Sequence, residues 1–361
     1  VTVGVGAVAS ERAFGAENRA RLLAIYFDDI AIEPVTAASA WQHVYRLLMW
    51  VDRTIGLAHC YESDKCQPGR PWYARSLQFH RWLSAELGTT PAKLSEGVDW
   101  LFTSAVQDLT RARESQSALL AQKANAQRAP FAHDDMPLPG EDPELENMIE
   151  HAVLDDLGMT APAGFAKNLS MKVQTYLASE NKRKNLVGEG FEDTLAEVLF
   201  RIPSLNRAYD ILLRPALHEL PGFNPPRGGD KTKRVDLALV RRSDGRRTLV
   251  SCKWSIRSDR EEQFATDFEA YAHLESSGED FAYVLVTNEF DPARLAAACE
   301  NRRQNAEMFT EVVHVNPAGP LAAYSVGLSQ GRTDSRGIAR ARAHISSGRL
   351  VGLADWISSL Y

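Results

Sequence analysis

Cysteine is scarce: Cys60, Cys66, Cys252 and Cys299 are the only four in 361 residues. So few thiols in so long a chain do not build a disulfide framework, and they are expected to stay reduced. No CxxC or HxxxH pair occurs, so His59, Cys60, Cys66 and His80 would make a zinc site only without the spacing such sites use. No apolar run reaches about 18 residues, which argues against a membrane-spanning helix. The N-terminal stretch VTVGVGAVASERAF has no basic residue ahead of its short apolar run. A secretory signal is therefore not expected, and the expected compartment is the cytoplasm.

Positive charge is also lacking overall, with a net charge of -6. A uniform coat for polyanions is excluded, but an average conceals segregation. Pro225 to Arg260 holds eleven Lys or Arg against four acids, whereas Asp134 to Asp156 holds nine acids and neither Lys nor Arg. Two solvated faces would give the same count.

What is present reads as two units. The first is helical over residues 1–130, a segment of unassigned role that fits a DNA-binding or effector module. Trp41, Tyr45 and Leu48 share one helical face with Asp52, and Thr90 caps a helix starting at Pro91. Arg70, Trp72, Tyr73 and Arg75 mix cations with aromatics, as a base-stacking surface or a buried helix start would. Residues 131–160, which overlap the four-proline stretch APFAHDDMPLPGEDPELE, form an acidic linker region. Residues 161–361 alternate helix and strand, which predicts an α/β unit.

In that second unit, KRVDLALV and RRTLVSCK are β-rich runs joined through Asp244-Gly245, a strong hairpin signal. Alternation places Asp236 with Ala238 on one face, and Ser251 with Lys253 on one face of the partner strand. An exposed ion pair across a hairpin would explain Asp236 and Lys253 equally well. In the helix that follows, Phe264, Asp267, Phe268 and Tyr271 have i, i+3, i+4, i+7 spacing, so Asp267 falls in the apolar stripe and Glu269 off it. A carboxylate there needs a partner, either Lys253 or a bound metal. Upstream, Glu192 lies at the edge of the face formed by Phe191, Leu195, Val198 and Leu199, while Glu189, Asp193 and Glu197 point elsewhere.

These residues resemble the PD-(D/E)xK nucleases, and specifically the type II restriction endonucleases that read CCGG or CCNGG cores. The likeness rests on Asp236, Ser251-Cys252-Lys253, Arg257-Ser258-Asp259-Arg260 four residues beyond the lysine, and Asp267 fourteen beyond it, with Glu192 as the first-helix acid. Ser251 stands where most of the superfamily has an acid, Val235 where it has proline, and Asp267 where the subfamily has Glu. The likeness covers about residues 186–317.

The resemblance implies a restriction-endonuclease-like core, a mixed central sheet flanked by helices, behind a mostly α-helical N-terminal domain. It implies Mg²⁺-dependent cleavage of double-stranded DNA at a palindromic site by a homodimer or homotetramer within a restriction-modification system. Asp236 and Asp267 would be metal ligands with the Cys252 carbonyl, Lys253 would orient the attacking water, Glu192 would be an outer acid, and Ser251 would mark the vacated position. Arg257, Asp259 and Arg260 would read G·C pairs, since arginine pairs with guanine O6 and N7 and an acid accepts from cytosine N4. Lys231, Lys233, Arg241 and Arg242 would hold phosphates. Two other expectations remain open: a nuclease of the same fold triggered by modified, damaged or branched DNA, and a DNA-binding protein whose catalytic centre has decayed.

Overall fold

The computed structural model describes residues 15–361 apart from 32, 50–68, 70, 98–99, 102, 105–106, 108–121, 132–141, 227, 229–230, 257–259, 304–305 and 330–335. Its principal helices are α1 (Ala16–Ile25), α2 (Ala40–Leu48), α3 (Pro71–Glu86), α4 (Pro91–Gly97), α5 (Pro143–Leu157) and α6 (Phe165–Phe200), followed by α7 (Pro203–Ala208), α8 (Arg260–Leu274), α9 (Pro292–Glu300), α10 (Ala318–Ser329), α11 (Arg336–Ser346) and α12 (Leu353–Ser359). Their starts follow capping chemistry. Thr90 Oγ1 accepts the Lys93 N–H at 3.3 Å ahead of α4, and Asp291 Oδ1 accepts those of Ala293 and Arg294 ahead of α9. None of the described helices is long and apolar enough to cross a membrane.

The chain forms two compact units, residues 1–19 with 103–186, and residues 20–102 with 187–361. In the first, Asp142 caps α5 by accepting the Leu145 N–H at 3.1 Å, and its other oxygen accepts Gln174 Nε2 of α6 at 3.2 Å.

The second unit is α/β. Six strands, β1 (Tyr209–Leu213), β2 (Leu237–Arg241), β3 (Arg247–Lys253), β4 (Ala282–Thr287), β5 (Glu311–His314) and β6 (Leu350–Gly352), lie side by side in sequence order. The first three are antiparallel and the rest run parallel to β3, which makes the sheet mixed. The predicted hairpin is present as β2 and β3, with Gly245 at a φ of 73° in its turn. Ala238, Leu249, Tyr283, Leu285 and Val312 line one face and pack against Phe264 of α8 and Leu295 of α9. The other face is covered too, with Phe191 of α6 edge-on to Trp254 at 5.3 Å. Burial on both faces explains why these strands read as near-continuous apolar runs.

Helices from residues 20–102 complete this unit. Tyr45 of α2 donates its hydroxyl to Asn288 Oδ1 at 2.9 Å, and Phe79 of α3 meets Phe290 edge-on at 4.5 Å. A Cβ on Gly319 of α10 would come within 2.8 Å of the Phe79 ring, so that glycine lets α10 approach α3. Within Asp291–Glu307, α9 stops at Glu300, and Arg302–Arg303 pairs with Ala306–Glu307 as a short ribbon. Cross-strand pairing there wins over the weak helix propensity of Asn301.

His314 of β5 is fully buried, and burial holds its imidazole down at about 3. Its Nδ1 accepts the Asn316 N–H at 3.0 Å and its Nε2 lies 3.1 Å from the Glu289 carbonyl, so the neutral ring has both nitrogens occupied. A depressed folded value places this stabilisation above the unfolded pKa of about 6.5 and removes it as pH falls towards the folded one. The stability advantage of wild type over His314→Asn is therefore expected to shrink by about 1.4 kcal/mol per pH unit between pH 6 and pH 4. Urea unfolding of both proteins across that range measures it, and a constant difference would show that the ring titrates normally.

Candidate active site

The hairpin brings an acid and a lysine together at its open end. Leu237 pairs with Val250, so Asp236, one residue earlier, falls opposite Ser251, and Lys253 closes the last pleat of β3. Asp236 Oδ2 accepts three donors: Lys253 Nζ at 2.6 Å, the Cys252 N–H at 2.8 Å and Ser251 Oγ at 3.4 Å. Its Oδ1 accepts none among the described residues. Lys253 and Asp236 are 15% and 24% exposed, so the pair is shielded yet reachable from solvent.

Glu192 approaches from α6. Its side chain is 13% exposed and receives Arg214 Nε on Oε2 at 2.6 Å, while Oε1 accepts nothing among the described residues. Burial first, and then the charge of Asp236, push its carboxyl up to about 7, against the pull of Arg214 and Lys253.

Asp267 of α8 is 24% exposed, with Lys233 Nζ 3.4 Å from its Oδ1. Glu269 is 66% exposed beside Arg303, so the helical spacing correctly separates the two acids. Two buried phenols underlie the cluster. Burial raises Tyr283 and Tyr271, and the charges of both Asp267 and Asp236 raise them further, which sets the two aspartates around one pair of rings.

Glu192, Asp236, Ser251, Lys253, Asp267 and Lys233 thus belong to one neighbourhood. The Cys252 side chain is buried, and its N–H is what engages Asp236. Lys231 is exposed in the loop before β2. Arg241 and Arg242 fall at the opposite end of β2 from Asp236, paired with Asp244 at 2.6 Å and Asp210 at 2.9 Å. Arg257, Ser258 and Asp259 lie outside the described residues; Arg260 opens α8, with its side chain outside them. His59, Cys60 and Cys66 are likewise outside, and His80 is buried, its imidazole held at about 4 by burial.

Helical spacing turns Asp193 away from the apolar face, yet the structure buries it beside Arg214 at 2.7 Å. Arg214 itself carries no sequence signal. Tyr283 sits inside an apolar strand, where only its hydroxyl sets it apart.

Among the described residues, no three His, Cys, Asp or Glu side chains stand close enough to hold a metal ion as arranged. The donor chemistry nonetheless suits a hard divalent cation: Asp236 Oδ1 and Glu192 Oε1 are unengaged oxygens on neighbouring acids.

No family model matches the chain, and no curated protein matches it. Among solved structures it is similar to one described as "Restriction endonuclease PspGI-substrate DNA complex", at 8% identity and a TM-score of 0.36, over 82% of this chain and 93% of that one. A likeness of that size supports no conclusion about this chain.

Proposed function

We propose that the protein is a Mg²⁺-dependent, sequence-specific endonuclease of double-stranded DNA, a type II restriction enzyme acting at a palindromic CCGG-like or CCNGG-like core. The observation that carries this reading is Lys253 against Asp236 at 2.6 Å, with the half-buried Glu192 near them. A divalent ion supplies charge neutralisation and a more acidic water. Asp236 and Glu192 would hold it through their free oxygens, with the Cys252 carbonyl and Asp267 as further ligands once Lys233 turned to a phosphate. Lys253 would hold the attacking water by its ammonium, and Ser251, donating to Asp236 Oδ2, would help fix that carboxylate.

Base reading falls to Arg257, Asp259 and Arg260. Lys233, paired with Asp267, and Lys231 in the loop before β2 would grip the scissile strand's backbone, with Arg241 and Arg242 contacting phosphates farther along. A palindrome cut on both strands needs two copies of the site, hence a homodimer or homotetramer.

Phage DNA incubated with the protein and Mg²⁺ is expected to give discrete fragments whose sequenced ends share one palindrome, and EDTA is expected to abolish them. Cleavage confined to methylated DNA would instead favour a nuclease of the same fold triggered by modification. Specific binding with no metal-dependent cleavage would favour the decayed DNA-binding protein.

A further inference from the structure

We propose that Arg214 is the positioning residue that aims Glu192 at the Asp236–Lys253 pair, an inference that rests on the nuclease reading above. Arg214 leaves β1 with a φ of 48°, and it is the non-glycine residue that takes a positive φ among those described. Side chains seldom adopt that region, and a residue preceding a proline, as Arg214 precedes Pro215, is biased towards extended backbone instead. Such a conformation persists only where the surroundings over-determine it, and it marks places where geometry serves function.

The surroundings do over-determine it. The Arg214 N–H donates to the Asp236 carbonyl at 3.0 Å, and its own carbonyl accepts Arg234 NH1 at 2.8 Å. From that fixed backbone the guanidinium reaches α6 by three contacts: Nε to Glu192 Oε2 at 2.6 Å, and NH2 to the Glu189 carbonyl at 2.9 Å and to Asp193 Oδ1 at 2.7 Å. One residue therefore ties the backbone of Asp236 to the side chain of Glu192. Two neighbouring carboxylates repel each other, and without the clamp Glu192 would rotate towards water. The clamp takes Oε2 and leaves Oε1 for the reaction.

The test is a double-mutant cycle read in two ways. With cognate duplex and Mg²⁺, Arg214→Lys keeps a cation for Asp193 but loses the fork, and it is expected to lower kcat about 10- to 100-fold with KM within about twofold. Adding it to Glu192→Gln should slow that variant no further, because both act through one carboxylate. Arg214→Gly combined with Asp193→Asn relieves the φ and neutralises Asp193, so that Glu192 alone loses its cation. It should fold normally by thermal melting and show the same loss of kcat.

Wild-type kcat in both Arg214 variants, or losses that multiply with Glu192→Gln, would overturn the proposal. The second reading is Mn²⁺ affinity by calorimetry without DNA, in which Arg214→Lys and Glu192→Gln should weaken binding by a common, non-additive factor. Failure of wild type to cut DNA would sink the nuclease reading alone, and the Mn²⁺ cycle would still decide whether Arg214 works through Glu192.

Discussion

Replacing Lys253 by alanine is expected to slow cleavage by on the order of a thousandfold and leave specific DNA binding nearly intact. The ammonium sits 2.6 Å from Asp236 Oδ2, at the edge of a site that is 15% to 24% open to solvent. On the proposed reading it would lend its remaining protons to a water beside the scissile phosphate, a contribution realised only as the phosphodiester is attacked. Loss of an interaction of that kind lowers the rate and not ground-state affinity. The fold should survive, because Asp236 keeps the Cys252 N–H at 2.8 Å and is open enough for water to replace the amine. Lys253→Arg should not rescue the rate, since a planar fork cannot take the place of a compact ammonium. Single-turnover cleavage of a labelled duplex, beside Ca²⁺-supported binding of the same duplex, separates the outcomes. A variant that cuts at the wild-type rate would refute the site assignment, and one that fails to bind would make Lys253 a phosphate-gripping residue.

Local patterns were enough to find the elements of this site, but not its clamp. The β2–β3 hairpin is legible from Asp244-Gly245 between alternating runs, because turn type and pleat fix the register and hence the face shared by Asp236 and Lys253. Helical periodicity likewise separates Asp267 from Glu269 and places Glu192 beside a buried face. What escapes is whatever depends on contacts between distant segments. Arg214 lies 22 residues from Glu192, and its task follows from a backbone angle no composition encodes. The same holds for Tyr45 on Asn288, 243 residues apart, which joins the N-terminal helices to the sheet unit.

Charge counting misleads for a related reason. The excess of cations between Pro225 and Arg260 suggests a phosphate-binding surface, yet six of the eight whose side chains are described meet a carboxylate of the same chain: Lys233 with Asp267, Arg241 and Arg246 with Asp244, Arg242 with Asp210, Arg247 with Glu275, and Lys253 with Asp236. An ion pair as open to solvent as Arg242–Asp210 is worth about 1 kcal/mol or less. A phosphate can displace the carboxylate in Arg242–Asp210, where both side chains are 53% exposed. It cannot do so where the cation is buried.

Arg247 is that case, and Arg247→Met is expected to destabilise the protein by about 3 to 5 kcal/mol, the usual consequence of breaking one side of a buried pair. The side chain is 2% exposed. Its NH1 donates to the Pro221 carbonyl at 2.9 Å and to Glu275 at 3.0 Å, its NH2 to the Glu279 carbonyl at 2.7 Å, and its plane lies 5.1 Å from the Phe223 ring. Gly222, at a φ of 79°, makes room: a Cβ there would come 2.2 Å from NH1. Methionine fills the volume but deserts two carbonyls and a carboxylate. Arg242→Ala, removing an exposed cation of the same hairpin, should cost no more than about 1 kcal/mol. Urea unfolding of the two variants checks the contrast, and equal losses would mean that Arg247 is as solvated as its neighbour. Adding Glu275→Gln to Arg247→Met should recover part of the loss, because the stranded charge is then gone. A stable Arg242→Ala protein that binds DNA less well, beside an unstable Arg247→Met protein that binds normally once folded, would divide the hairpin's cations into those that hold DNA and those that hold the fold.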